Sequence, residues 1–386
     1  MRIAHIVREL DPAKGGPPTV IINTVRALAR AGVEVELWTW DAFGTRIDPD
    51  DVAPGSVRII EHREPRGRFD RDFFHRFDDA WDGIELVHLH QLWAPYSARF
   101  TFEARRRGVP SVMTLHGMLM DWPLGEKRLK KQFYLALVGA RQLRATSAVH
   151  VLNEPEARQS SSRGIRFPGF ILPNGIDPGM FDAPPAPGRF RARHPAIGDR
   201  VLIASLGRLH HVKGPDLLLD AFLAIARDRD DLALVLAGPD EGMRPTLDRM
   251  LDRHPARDRV ILPGLVTGDD RLALLADADV FAHTSHHETA SMAILEAAHA
   301  GKPLLITSTS HCPEVATLDA GIVVPPTAAA IRDGLERLLD DRARWAEIGA
   351  NARRMTLERF TLDAVIPSLI RHYERLIAGE RYPVLG

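Results

Sequence analysis

A chain of 386 residues, 45% hydrophobic and 26% charged, is too long for one ordinary core and too apolar to be disordered, so two domains of similar size are expected. A net charge of −1, split as 25 basic against 21 acidic residues up to Gly175 and 25 against 30 after it, gives no sign of a nucleic-acid partner. The single cysteine, Cys312, excludes an internal disulfide and a multi-cysteine zinc site.

The first residues already read as a strand, with no charged-then-apolar leader before them, and the longest apolar runs are strand-length. Neither a secretory signal nor a membrane span is therefore expected, and the cytoplasm is the expected compartment. Strands are predicted at 3–7, 33–39, 57–61, 86–90, 111–115, 148–152 and 170–172, with helices at 20–30, 96–107 and 127–143 between some of them. Such alternation builds right-handed βαβ units and a parallel sheet. Their near-continuous apolar strands suit a sheet covered on both faces. Asp182-Ala-Pro-Pro-Ala-Pro-Gly188 then reads as a linker, because its prolines cannot continue a helix. After it the alternation restarts, with strands at 201–206, 232–237, 260–262, 280–283, 304–307 and 322–324. Helical patterns at 328–340, 342–354 and 362–378 close the chain. The fold class is α/β, with two Rossmann-like parallel-sheet domains joined near 175–200. Ligands bind such sheets at the carboxyl ends of the strands.

Two segments concentrate chemistry. In Ser205-Leu-Gly-Arg-Leu-His-His-Val-Lys-Gly214 a strand runs into a glycine-containing loop bearing Arg208 and Lys213. Two cations there can grip a diphosphate, one as a fork and one as a point charge, or they can be salt-bridged to neighbouring carboxylates. In the second segment a strand ends near His283, Glu288 follows in the loop, and a helix runs from about Ser291 with Glu296 inside it. Carboxylates in apolar surroundings need hydrogen-bond donors, and vicinal sugar hydroxyls are suitable ones. The amides of Thr289, Ala290 and Ser291 open the helix and can receive phosphate oxygens. The plainer readings are charge complementarity at a helix start for Glu288 and a partly exposed helical glutamate for Glu296. The His210-His211 and His286-His287 pairs point apart if they lie on regular elements, so no metal site is expected.

Glu288 and Glu296 with seven residues between them, Gly207-Arg-Leu-x-x-x-Lys-Gly214, Pro173-Asn-Gly-Ile-Asp177, Val87-His-Leu-His90 and Thr114-Leu-His-Gly117 together resemble glycosyltransferase family 4, retaining enzymes of GT-B fold. The resemblance is greatest to enzymes of cell-envelope, exopolysaccharide or lipopolysaccharide synthesis. It implies an acceptor domain at 1–180, a nucleotide-sugar donor domain at 181–360, and a segment at 361–386 crossing back to the first. Arg208 and Lys213 would hold the donor diphosphate, Glu288 the hydroxyls of the transferred sugar, Glu296 the ribose hydroxyls. His116 would hydrogen-bond the sugar, although a satisfied strand-end histidine is the simpler reading of that residue by itself. Gly15 and Gly16 would let a loop pass close to the diphosphate, or form an ordinary turn.

Where the family has Glu-Gly-Phe-Gly, this chain has Glu288-Thr-Ala-Ser291, so side chains stand where backbone usually hugs the ligand. The implied reaction is front-side transfer from a nucleotide-diphosphate sugar to a glycan or polyprenyl-linked acceptor, without metal or other cofactor. A nucleotide-sugar epimerase of the same fold and a non-catalytic donor-binding partner are the alternatives. Residues 127–144 carry Lys127, Arg128, Lys130, Lys131, Arg141 and Arg144 and no acid, interleaved with Phe133, Tyr134, Leu135, Leu137 and Val138. Such a segment is either a cationic helix resting on an anionic membrane at the inner face of the cell membrane, or a core-facing helix with a solvated basic side.

Overall fold

A computed structural model describes residues 1–8, 10, 16–40, 57–61, 71–93, 95–125, 128–162 and 164–385. Among these residues the strands are β1 Arg2–Ile6, β2 Glu34–Thr39, β3 Val57–Glu61, β4 Leu86–Leu89, β5 Ser111–Thr114, β6 Ala148–Val151 and β7 Phe167–Ile171. They continue as β8 Val201–Leu206, β9 Leu232–Ala237, β10 Val260–Gly264, β11 Val280–His283, β12 Leu304–Thr307, β13 Gly321–Val324 and β14 Val384–Leu385. The chain divides into two compact units, Met1–Gly175 with Leu362–Gly386, and Ile176–Thr361.

The first unit holds a sheet of order β14-β7-β6-β5-β4-β1-β2-β3, parallel except for β14, which pairs antiparallel with β7. Its central strands β4, β5 and β6 are buried at every position, as expected where helices cover both faces. On one face lie Ile21, Val25 and Leu28 of helix Gly16–Arg30 together with Val365, Leu369 and Tyr373 of helix Leu362–Ile377. The other face carries an aromatic core that includes Trp38, Trp40, Phe73, Phe77 and Phe100. The second unit has the order β10-β9-β8-β11-β12-β13, all parallel.

Strands β3, β8, β9, β11 and β12 have the predicted bounds, and β7 and β10 run longer than expected. Three departures have local causes. The predicted helix at 127–143 runs unbroken from 128 to 145 but changes pitch, as Arg128–Tyr134, a π-helical turn Leu135–Gly139, and Ala140–Ala145. Gly139 packs inside that turn, where a Cβ would stand 2.9 Å from the Leu135 side chain. The expected linker at 182–188 runs into helix Arg189–Arg193, which is anchored within the second unit. Buried Asp277 accepts from the amides of Gly188, Phe190 and Arg191 at 2.5, 2.8 and 3.0 Å, satisfying donors that a helix start leaves open. Strand β14 has no counterpart among the predicted strands, because two residues carry no periodicity and exist as a strand only through β7.

Candidate functional site

In the second unit, β8 ends at Leu206 and a loop carries the chain to Gly214, which adopts φ +59° and so a left-handed turn. A Cβ on Gly214 would stand 2.3 Å from the Thr284 carbonyl oxygen, so this position requires glycine on both counts. Thr284 Oγ1 donates to the Gly214 carbonyl at 2.9 Å, and the His286 amide donates to Val212 O at 2.8 Å. The loop after β8 is thereby stitched to the loop after β11. That seam delivers Lys213 to Glu288: the ammonium donates to Oε1 at 2.5 Å. His283 Nε2 and Ser285 Oγ donate to the same oxygen at 2.9 and 2.7 Å. All three bonds converge on Oε1, and Oε2 has no hydrogen-bond partner among the described residues.

Glu288 is buried, which by itself raises a carboxyl pKa. The Lys213 charge and the His283 bond outweigh that cost and hold the group well below the usual carboxylate range. It is therefore ionised, oriented and able to accept from a ligand hydroxyl. The His311 ring at 2.6 Å from Glu288 O and the Glu288 amide bond to Thr309 O at 3.0 Å fix its backbone. Ser291, in an extended conformation, caps helix Met292–His299, and Thr289, Ala290 and Ser291 are all partly exposed just before it. Within that helix Glu296 is buried, so the reading of a partly exposed glutamate does not hold. Burial raises its pKa, against the Arg271 guanidinium 3.1 Å away on helix Gly268–Asp277.

Arg208 pairs with Glu241 at 2.6 Å, both side chains being about two-fifths exposed (41% and 38%). Arg208 and Lys213 nonetheless line one small pocket at the ends of β8, β9 and β11, with Gly207 and His283. Both cations are salt-bridged, as the plainer reading of this loop had it, and both remain next to one cavity. His210 and His211 do not point apart as expected: their rings lie 4.2 Å apart, because extended His210 caps the 3-10 turn His211–Lys213 and the two residues do not share one regular element.

His116 belongs to the first unit. It follows β5, is partly exposed, and takes φ +48°, with Gly117 after it at φ +77°. Two successive left-handed residues make a sharp turn, which buried Glu156 holds by accepting from the Gly117 and Leu152 amides at 2.5 and 2.6 Å. Behind His116 lie four more histidines. His90 is 3.3 Å from it, His5 is 2.9 Å from His90, and His88 and His150 each bond Thr114 Oγ1, at 2.6 and 2.9 Å. His5, His88 and His90 have ligand atoms within 4.8 Å of one another, the one such group among the described residues. Each of their six ring nitrogens is already hydrogen-bonded, to one another or to His116, Thr114 and Tyr373. Gly16 is exposed at the start of helix Gly16–Arg30, whereas Gly15 lies outside the described residues.

Residues 188–355 match the family "Glycosyl transferases group 1" and residues 15–175 match the "Glycosyl transferase 4-like domain". The chain belongs to the glycosyltransferases of the family 4 type. A D-inositol 3-phosphate glycosyltransferase of Xylanimonas cellulosilytica is 28% identical over 96% of this chain and 93% of its own length. The GDP-mannose-dependent alpha-(1-6)-phosphatidylinositol monomannoside mannosyltransferase of Mycobacterium tuberculosis is 30% identical over 51% of this chain and 54% of its own. Among solved structures, sucrose-phosphate synthase of Thermosynechococcus elongatus superposes with a TM-score of 0.78 at 21% identity, covering 98% of this chain and all of its own. HepE of Anabaena, solved with UDP and glucose, gives 0.76 at 18%, covering 97% and 99%. These likenesses establish the GT-B fold.

For this glycosyltransferase, sequence reasoning singled out Lys213, Glu288, Arg208 and Glu296 but missed their partners. His283 and Ser285 stand five and three residues before Glu288, a spacing visible in the sequence once a loop is assumed to fold back. Glu241 and Arg271 carried no such signal, being 33 and 25 residues from the groups they pair with. On the basic segment, Lys127 lies outside the described residues. Arg128–Tyr134 buries none of its residues, whereas Leu135 and Leu143 further along the segment are buried in the core, so the core-facing reading holds for the second half only. Leu129, Phe133 and Leu137, four residues apart, are 82%, 68% and 52% exposed, forming an apolar stripe on the same surface as Arg128 and Lys130. Lys131 is drawn away, donating to Pro123 O at 2.5 Å and lying 5.6 Å from the Trp93 ring centre. No helix among the described residues is long and apolar enough to cross a membrane.

Proposed function

We propose that this enzyme is a retaining, metal-independent glycosyltransferase that moves a sugar from a nucleotide diphosphate to a glycan or polyprenyl-linked acceptor in cell-envelope or exopolysaccharide synthesis. The observation that carries the reading is the buried, ionised Glu288, with three donors on Oε1 and Oε2 left for a ligand hydroxyl. Lys213 has three ammonium protons, so it can donate to Glu288 and to a phosphate oxygen at once. The exposed Arg208–Glu241 pair is worth about 0–1 kcal/mol, so exchanging Glu241 for a diphosphate costs the enzyme little. Charge building on the leaving diphosphate is stabilised by Arg208, Lys213 and the first amides of helix Met292–His299, and a diphosphate oxygen takes the acceptor proton. Glu296, neutralised by Arg271, binds the ribose hydroxyls. His116 binds the sugar, and Gly15 and Gly16 give the phosphates room. Replacement of the family's Gly-Phe-Gly by Thr289, Ala290 and Ser291 adjusts donor choice.

The apolar stripe Leu129, Phe133 and Leu137 beside Arg128 and Lys130 supports peripheral contact with an anionic membrane. So does the name of the mycobacterial relative, which acts on a phosphatidylinositol monomannoside. An open pocket of about 550 Å³ along the same helix, lined by Arg128, Gln132, Leu135 and Ile165 among others, is the place proposed for the acceptor.

Thermal-shift screening of UDP-, GDP- and ADP-sugars tests the donor: a selective one at 100 times its Kd adds about 2.7 kcal/mol of stability. Release of nucleotide diphosphate must then depend on acceptor and persist in excess EDTA. Donor rearrangement without acceptor would instead identify an epimerase. Donor binding without turnover on any acceptor would identify a non-catalytic partner, and loss in EDTA restored by Mg²⁺ would reject metal independence.

A further inference from the structure

The hydrogen bonds behind His116 run in one direction, and a backbone carbonyl sets it. Leu172 O can only accept, and His150 Nε2 lies 2.7 Å from it, so that nitrogen carries the ring proton. Burial pushes the His150 pKa down to about 4, against the Leu172 bond, so the ring is neutral and its Nδ1 is bare. Bare Nδ1 accepts from Thr114 Oγ1 at 2.9 Å, and the threonine oxygen in turn accepts from His88 Nε2 at 2.6 Å. His88 is neutral for the same reason, so its Nδ1 accepts from the Tyr373 hydroxyl at 2.6 Å. Having spent its only proton, Tyr373 Oη accepts from His5 Nε2 across a longer 3.4 Å. His5 Nδ1 accepts from His90 Nε2 at 2.9 Å, and His90 Nδ1 from His116 Nε2 at 3.3 Å. Burial lowers His5 and His116 to about 3 and keeps His90 neutral as well. His116 Nδ1, the end of the series, is a lone pair with no hydrogen bond among the described residues.

We propose that this one-way chain fixes His116 as a hydrogen-bond acceptor through Nδ1, that Tyr373 is the positioning residue that joins its two halves, and that the site consequently takes a sugar hydroxyl and rejects a phosphate oxygen at this point. The geometry is built from β1, β4, β5 and β6 and closed by helix Leu362–Ile377, which supplies the one hydroxyl able to accept from His5 while donating to His88. Without that hydroxyl the segment His5, His90 and His116 has no fixed end. It can reverse, and His116 then shows an N–H where a hydroxyl should donate. The role toward a sugar rests on the transferase reading above; the direction of the chain does not.

Long-range ¹H–¹⁵N NMR of the full chain, labelled at histidine nitrogen and free of ligand at neutral pH, reads each tautomer. The His116 signals are assigned by their loss in His116→Gln. We expect His116 protonated at Nε2 and bare at Nδ1. Tyr373→Phe should turn this into a mixture of tautomers and lower turnover about tenfold, the loss of one neutral hydrogen bond, while the donor KM changes less than twofold. Should Tyr373→Phe not fold, Thr114→Val cuts the chain nearer its fixed end and is read in the same way. A wild-type His116 protonated at Nδ1 or at both nitrogens overturns the proposal, as does a Zn²⁺ titration that shifts His5, His88 and His90 together. So does Tyr373→Phe with tautomer and turnover both unmoved. Expected tautomers in a protein that transfers sugar to no acceptor would confirm the chain and remove its role toward a sugar.

Discussion

At the carboxyl ends of four adjacent strands the first unit places His5, His88, His90, His116 and His150, while the second unit places Glu288 just beyond β11 and Glu296 in the helix that follows. Both sheets are parallel in these regions and covered on both faces, yet the polar groups are accommodated by different physics. Neutral imidazoles each offer one donor and one acceptor, so they satisfy one another in series and need no counter-charge. Carboxylates accept only, and each of these two brings a cation: Lys213 for Glu288 and Arg271 for Glu296. The first arrangement orients hydrogen bonds without charge. The second stores paired charge, which the proposed function turns toward a phosphate and sugar hydroxyls.

Acid should separate the two most strongly. His5 and His116 at about 3 and His150 at about 4 bind protons less readily folded than unfolded. Their stabilising contribution is full above the ordinary histidine value of about 6.5 and is lost as pH falls below it, at up to about 1.4 kcal/mol per pH unit for each group. Glu288, held low, keeps its contribution until pH falls through the ordinary carboxylate range near 4.5. Between about pH 6.5 and 5 the first unit should weaken more, because burial lowers six of its histidines against His194, His254 and His299 in the second, and Glu156, raised to about 7, offsets only one of the six. Five of the six tryptophans, including buried Trp38, Trp40 and Trp81, lie in the first unit, so tryptophan fluorescence in denaturant should show its midpoint falling. An unchanged midpoint at about pH 5 would mean the histidines are charged in the folded state.

Next in size is Glu288→Gln. It leaves Lys213 and His283 facing a neutral amide in a buried place, at a cost of about 3 kcal/mol to the second unit, and should lower transfer by about a hundredfold or more. Denaturation curves and initial rates check the two effects, and retention of full transfer would remove Glu288 from the reaction. Arg208→Ala sharpens the contrast between stored and exposed charge. Its surface pair with Glu241 contributes little, so the melting temperature should hold while transfer falls roughly ten- to a hundredfold, about 1.5–3 kcal/mol for one charge-assisted bond. Equal losses of both would show Arg208 to be structural. The smallest expected effect is that of Arg271→Ala. With its counter-charge gone, the Glu296 carboxyl is raised further and binding of bare nucleotide diphosphate should weaken about tenfold by calorimetry, roughly 1.4 kcal/mol. The effect should shrink as pH falls, because burial makes Glu296 take up a proton more readily than an ordinary carboxylate in both proteins.

Much of this was written locally in the chain. Apolar runs of four to six residues marked β8, β9, β11 and β12 to the residue, because burial on both faces demands them wherever they pair. Arg208, Lys213, Glu288 and Glu296 were legible because strand–loop–helix junctions place charged groups at known offsets from recognisable strands. Pairings over long separations were not. Tyr373 meets His5 and His88 across 368 and 285 residues, and Arg271 reaches Glu296 from a different helix. Val87-His-Leu-His90 displayed two histidines of the chain behind His116, but not that their rings stack 4.4 Å apart behind it. Nor could sequence show which nitrogen of His116 carries a proton, since that follows from the Leu172 carbonyl at the far end of a series built from four strands and a helix. Local sequence determines which groups are present and which secondary structure carries them. Hydrogen-bond direction and counter-charge belong to neighbours in space, and only the packed sheet selects those.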